Sequence, residues 1–119
     1  AQQESQLNAL ISKYEKKTSN EIMIVTSKEI GEFEGPVSYA ADILITNNLG
    51  KEGKENGLVI FFSKELGLVS LAPGYGSEMS LTDSVCKVIV NSYMTPHFKE
   101  GKYYEGIKAG LKQSIRRWE

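Results

Sequence analysis

The stretch that decides the fold is NGLVIFFSKELGLVSLAPGYG, residues 56–76. Residues 58–63, LVIFFS, form an unbroken apolar run that ends in one serine. Such a run suits a strand buried on both faces, at the centre of a sheet. KELG has the length and the glycine of a tight hairpin, and LVSLA then returns antiparallel to the first run. Proline and two glycines, Pro73, Gly74 and Gly76, bend the chain out of the sheet into the segment SEMSLTD.

Working outward, EIMIVTS (residues 21–27) is rich in Ile and Val and reads as a further buried strand. Before it, SQLNALISKYEKK carries Leu7, Leu10, Ile11 and Tyr14 at helical spacing, with Ser5 in place as an N-cap. After it, KEIGEFEGP is a glycine-interrupted connection, and Pro36 opens a second helix, PVSYAADILITNNLG, that stops at Gly50. Val37, Ala40, Ala41 and Leu44 share one face of it. A third helix is expected from a cap at Thr82 or Asp83 through Tyr93, burying Val85, Val88 and Ile89. MTPHFKEG reads as a turn. A fourth helix runs from Lys102 to Trp118 with Tyr104, Ile107, Leu111, Ile115 and Trp118 on its stripe. Strand–helix–strand followed by a hairpin predicts a parallel pair joined by a right-handed crossover, plus one antiparallel strand. The expected class is α/β, a three-layer α/β/α sandwich around a small mixed sheet.

The composition suits this plan. The 119 residues are 40% hydrophobic and 24% charged, which fits one ordered domain over residues 1–119. A net charge of −1 leaves no cationic surplus for a phosphate backbone, so nucleic acid is not an expected partner. No window approaches the roughly 20 apolar residues that span a bilayer, so the domain itself is expected to be soluble and monomeric. The single cysteine, Cys86, excludes an internal disulfide and is read as a small core hydrophobe.

Chemistry concentrates at one end of the predicted sheet. KEGKENG enters the central strand and GYGSEMSLTD leaves its antiparallel neighbour, so both loops fall at the same end, where ligands of open α/β sheets gather. Glu55, Asn56, Glu78 and Asp83 can meet there. All four offer oxygen, which suits calcium ahead of magnesium and argues against zinc. Gly74 and Gly76 free the backbone to turn carbonyls toward such an ion. The competing reading makes Asp83 a helix cap and the other acids solvated surface. Enzyme signatures are weak. GKEGKENG lacks the Gly-Lys-Ser/Thr ending of a phosphate loop. Ser77 has no G-x-S-x-G elbow, and His97 in TPHF reads as packing or capping. Tyr75, Tyr103 and Tyr104 are candidates for an aromatic partner patch.

Taken in order, TSNEIMIVTSKEIGEFEGPVSYAADIL, LGKEGKENGLVIFFS, APGYGSEMSLTD and TPHFKEGKYYEGIKAG resemble the TPM domain family. That family is named for a thylakoid lumen protein, a photosystem II repair protein and a worm receptor modulator. The resemblance runs from Leu7 to Trp118, and Gly-Tyr-Gly-x-Glu followed by Leu-Thr-Asp is its most specific part. It implies an α/β/α sandwich, a periplasmic or cell-envelope domain tethered to a membrane through other segments, and calcium held by acidic loops at one end of the sheet. Glu78 and Asp83 match the family's acids, and Asn56 with Gly57 its Asn-Gly. Two departures stand out: Glu55 replaces the usual Asp, keeping the carboxylate with a longer reach, and NNLG replaces Trp-Gly-Ile-Gly. The resemblance also implies acid phosphatase activity in plant thylakoid relatives, but the convergence of acidic loops taken with it leads us to expect a calcium-binding, non-enzymatic domain that stabilises or regulates a membrane-protein partner. A metal-assisted acid phosphatase acting on phosphate monoesters and a metal-free protein-interaction module are the other readings.

Overall fold

The computed structural model describes residues 2–18, 20–26, 40, 42–43, 56–64, 67–74, 77 and 80–118. The elements are α1 (Gln2–Thr18), β1 (Glu21–Thr26), β2 (Gly57–Ser63), β3 (Leu68–Pro73), α2 (Asp83–Val88), a π-helical segment (Ile89–Met94), α3 (Thr95–Lys99) and α4 (Tyr103–Trp118). The strands lie in the order β1–β2–β3. β1 runs parallel to β2 with Ile24 beside Ile60, and β3 runs antiparallel with Leu71 beside Ile60. Both pairings are as the sequence predicts.

All seven residues of β2 are buried, which explains its continuous apolar run. Successive side chains point to opposite faces. Leu58, Ile60 and Phe62 join a core with Leu7, Ile22, Leu71, Ile89, Leu111 and Trp118, built from α1 and the C-terminal helices. Val59 and Phe61 join a second core with Ala40 and Ala72, against which Val25 and Ile43 pack. Ala40, Asp42 and Ile43 are helical. Helix therefore covers each face of the sheet, giving the three layers. Each large side chain buried this way stabilises the fold by about 1.5–3 kcal/mol. The other residues of the expected second helix, and its Gly50 stop, lie outside the described residues.

Helix α1 begins at Gln2, so Ser5 lies inside it and is not its cap. Tyr14 packs its ring 5.8 Å from that of Trp118, tying the first helix to the last.

The largest departure from the sequence reading is at MTPHFKEG. The helical path does not stop at Tyr93 but continues to Lys99 through the π turn. The Thr95 N–H reaches back five residues to the Val90 carbonyl. This wider turn suits Pro96, which has no N–H to give and whose ring crowds a regular α turn. The chain turns only after Lys99. There Lys102 N–H bonds to the His97 carbonyl and Gly101 N–H to that of Phe98, with Gly101 at φ +76°. These are the paired bonds of a Schellman stop. Val88, expected in the core, is 43% exposed. The buried positions are Cys86, Ile89 and Met94. Their spacing of three and then five follows the switch from α to π, and the inner face set by Cys86 and Ile89 leaves Val88 on the outer one.

Gly106 and Gly110 let α4 approach this segment closely. A Cβ on Gly106 would overlap the Phe98 ring, and one on Gly110 the Met94 thioether. Gly→Ala at an open helix position stabilises by up to about 1 kcal/mol. At Gly110 the overlap with fully buried Met94 outweighs that gain, since overpacking costs about 1–3 kcal/mol. Gly110→Ala is therefore expected to lower the urea midpoint. An unchanged or raised midpoint would contradict this packing.

Candidate functional site

The register Leu58↔Pro73 brings the entry to β2 and the exit from β3 to one end of the sheet. A set of hydrogen bonds then folds the loop after β3 over the first residue of β2. The Gly57 carbonyl accepts from Gly74 N–H at 2.9 Å and from the Ser77 hydroxyl at 3.0 Å. Ser77 is fully buried. Its own N–H bonds to the Gly74 carbonyl, and its carbonyl accepts from Leu81 N–H at 2.8 Å. Ser77 is thus a clamp between the loop after β3 and the start of β2. Sequence reasoning weighed it only as a nucleophile; a small polar residue between a Gly-rich bend and a helix cap was the available signal.

Asn56, at the mouth of β2, is 6% exposed. Its Nδ2 donates to Asn20 Oδ1 at 3.0 Å, and Asn20 Nδ2 donates to the Tyr14 hydroxyl at 2.9 Å. Its carbonyl takes the Glu21 N–H at 3.0 Å. The strand entry is therefore tied to α1 and to the start of β1 by a polar chain that spans three segments. A buried amide satisfied in this way fixes the start of β2. Asn20 and Tyr14 were not among the expected site residues, because their contribution depends on a contact across 36 residues of sequence.

Thr82, not Asp83, caps α2: its side chain accepts the Val85 N–H at 3.2 Å. Asp83 stands in the first turn, exposed, and no described side chain pairs with its carboxylate. An exposed carboxylate of this kind fits a hard cation as one oxygen among the six to eight that calcium takes. Glu55, Glu78 and Gly76 lie outside the described residues. Among the described residues no three His, Cys, Asp or Glu side chains converge. Of the four expected ligands, the structure thus describes Asn56, committed to organising its loop, and Asp83.

Cys86 lies one helical turn after the cap, buried, with its thiol 3.8 Å from the Leu81 carbonyl. Burial, and then the negative charge of Asp83, push its pKa from 9.0 up to about 11. It is the small hydrophobe that the sequence suggested. Tyr103 and Tyr104 do not form a common patch. Tyr103 stands with its ring centroid 5.4 Å from that of Phe62, whereas the Tyr104 hydroxyl donates to Gln6 at 2.7 Å. Tyr75 lies outside the described residues.

This is a three-layer α/β/α domain in which the loop after β3 is clamped to the start of β2 at one end of the sheet. The chain matches the TPM domain family over residues 1–117 and belongs to it. Among solved structures, it is similar to the N-terminal domain of a P. gingivalis protein. The two are 27% identical with a TM-score of 0.84, over 96% of this chain and 72% of that one. The BA42 protein of the psychrophilic bacterium Bizionia argentinensis is 22% identical, with a TM-score of 0.80, over 99% of this chain and 79% of that one. The N-terminal domain of a Corynebacterium glutamicum protein has a TM-score of 0.75 at 13% identity, over 100% of this chain and 73% of that one. No curated protein matches the chain. Among the described residues no helix is long and apolar enough to cross a membrane.

The Cys86 environment has a measurable consequence. The folded chain holds its thiol proton up to about pH 11, whereas the unfolded chain releases it near 9.0. Stability from this source is therefore full below pH 9 and is lost as pH rises through 11. Urea unfolding at pH 8 and pH 10.5 is expected to show a decline that Cys86→Ala reduces. Asp83→Asn is expected to lower the thiol pKa, read by ultraviolet thiolate absorbance. A Cys86→Ala variant with an undiminished decline would contradict the assignment.

Proposed function

We propose that this domain binds calcium at the clamped end of its sheet and is non-enzymatic. It acts on the extracytoplasmic side of a membrane, in the periplasm or cell envelope, where it stabilises or regulates a membrane-protein partner. The observation that carries the reading is the bond from Ser77 Oγ to the Gly57 carbonyl. Glu55 is covalently next to Asn56, and Glu78 next to Ser77, so each acid leaves the main chain one peptide from a residue of the clamp or its entry. Asp83 adds an exposed carboxylate six residues after Ser77.

Glu55, Glu78 and Asp83 are the proposed ligands, Asn56 fixes the start of β2 through Asn20, and the Gly74 N–H holds the bend to the Gly57 carbonyl. When bound, calcium would cross-link the two loops and offset the mutual repulsion of their acids. Membership of the TPM family supports the extracytoplasmic placement. A metal-assisted phosphatase would use the same carboxylates. The non-enzymatic reading is favoured because the Ser77 hydroxyl is buried and already donated, while the Cys86 thiol stays protonated at neutral pH.

Calcium titration of metal-free protein, followed by two-dimensional amide NMR, tests the reading. Saturable shifts are expected at Asn56, Gly57, Gly74, Ser77 and residues 80–86, below a few millimolar, with a smaller response to magnesium. Asp83→Asn should raise the Kd about tenfold, on the scale of perturbing one group in a metal site. No shift up to several millimolar would overturn calcium binding. Calcium-dependent hydrolysis of a phosphate monoester that is lost in Asp83→Asn would instead establish the phosphatase.

A further inference from the structure

At the other end of β2 lies a second feature of opposite chemistry. A groove of about 240 Å³ opens between the β2–β3 hairpin and α3. Its floor is aromatic: Phe62 and Phe98 stack at 4.5 Å between centroids, and Tyr103 stands 6.1 Å from Phe98. The charged residues among those described at its rim are cationic. Lys64 and Lys99 both line it and both are exposed. Lys64 Nζ is held 5.1 Å from the Tyr103 ring centroid, a placement that leaves its donors free for an anion. Among the described residues that line the groove, none is acidic. Glu100, next to Lys99, sits 3.6 Å from Lys102 Nζ.

The volume decides the kind of ligand. Sites that enclose a whole small molecule run to about 300–1,000 Å³. This groove is smaller and takes one aromatic or large aliphatic side chain. Binding energy at protein interfaces concentrates in such single anchors, surrounded by a charged rim. Two lysines flanking an apolar floor complement an anchor with acids beside it.

We propose that the groove docks an acidic peptide segment of a partner protein. One apolar side chain of that segment packs against the half-buried rings of Phe98 and Tyr103, and its flanking carboxylates pair with Lys64 and Lys99. The groove stands about 20 Å from the clamped loops, the length of six strand steps, and its chemistry does not depend on the cation.

The test uses isotope-labelled protein in EDTA, so the calcium reading has no bearing on the result. The probe is a blocked tripeptide of aspartate, phenylalanine and glutamate, followed by amide NMR. Saturable shifts are expected at residues 62–64, 67–69 and 95–103. Lys64→Gln and Lys99→Gln should each weaken binding about threefold, and together about tenfold, as exposed ion pairs do. Both are surface changes, and an unchanged spectrum of the free variant checks that it is folded. Equal binding of a version with alanine at the centre, or with lysines at the flanks, would overturn the proposal. So would no saturable shift at several millimolar, or a response confined to the clamped end. Phosphatidylglycerol vesicles that shift these residues when the peptide does not would overturn it in favour of a membrane surface.

Discussion

Strand β2 is the constraint on which the rest of the structure depends. It is buried along all seven residues and hydrogen-bonds to a strand on each side. Its alternate side chains feed two separate cores, so neither helical layer packs without it. Because β3 returns antiparallel from it, the chain enters β2 and leaves β3 at one place. The Gly57 carbonyl makes that coincidence rigid by accepting from both Gly74 and Ser77. A carbonyl has two acceptor positions, and here both are spent on a single loop. The same antiparallel pairing sets the hairpin, with Lys64 and the aromatic groove, at the far end.

The fold was legible where one physical signal dominated. A continuous apolar run of six residues has few homes other than a central strand, and the stripe Ile107, Leu111 and Trp118 could only face a core. Reading failed where two signals competed. MTPHFKEG reads as a turn, but a π turn at Ile89–Met94 widens the helical path and lets Pro96 sit at the start of α3. Val88 was misplaced for a different reason: within the regular helix α2 the inner face is set by Cys86 and Ile89, and at about 100° per residue that puts Val88 outside. The Schellman stop at Gly101 was written in the sequence as KEGK, but it lay within a segment already read as a turn.

The candidate site was legible as a convergence of loops and not as a set of contacts. Antiparallel pairing alone brings residues 56 and 74 together. Periodicity cannot supply the hydrogen bonds that hold them, because Tyr14, Asn20 and Asn56 form their chain across three elements. Thr82 and Asp83 were equivalent as caps on paper. Geometry gives the cap to Thr82 and leaves the Asp83 carboxylate in solvent. The likeness to domains at 13–27% identity is that of a shared frame.

We propose that Glu55 and Asp83, from the segments that meet at the start of β2, serve one ion. A double-mutant cycle on calcium affinity, with Glu55→Gln, Asp83→Asn and the pair, tests it most directly. Groups that share a ligand couple by about 0.5–3 kcal/mol, whereas independent sites add. The account predicts that the second substitution costs much less once the first is present. Strict additivity, or an affinity indifferent to both changes, would contradict it.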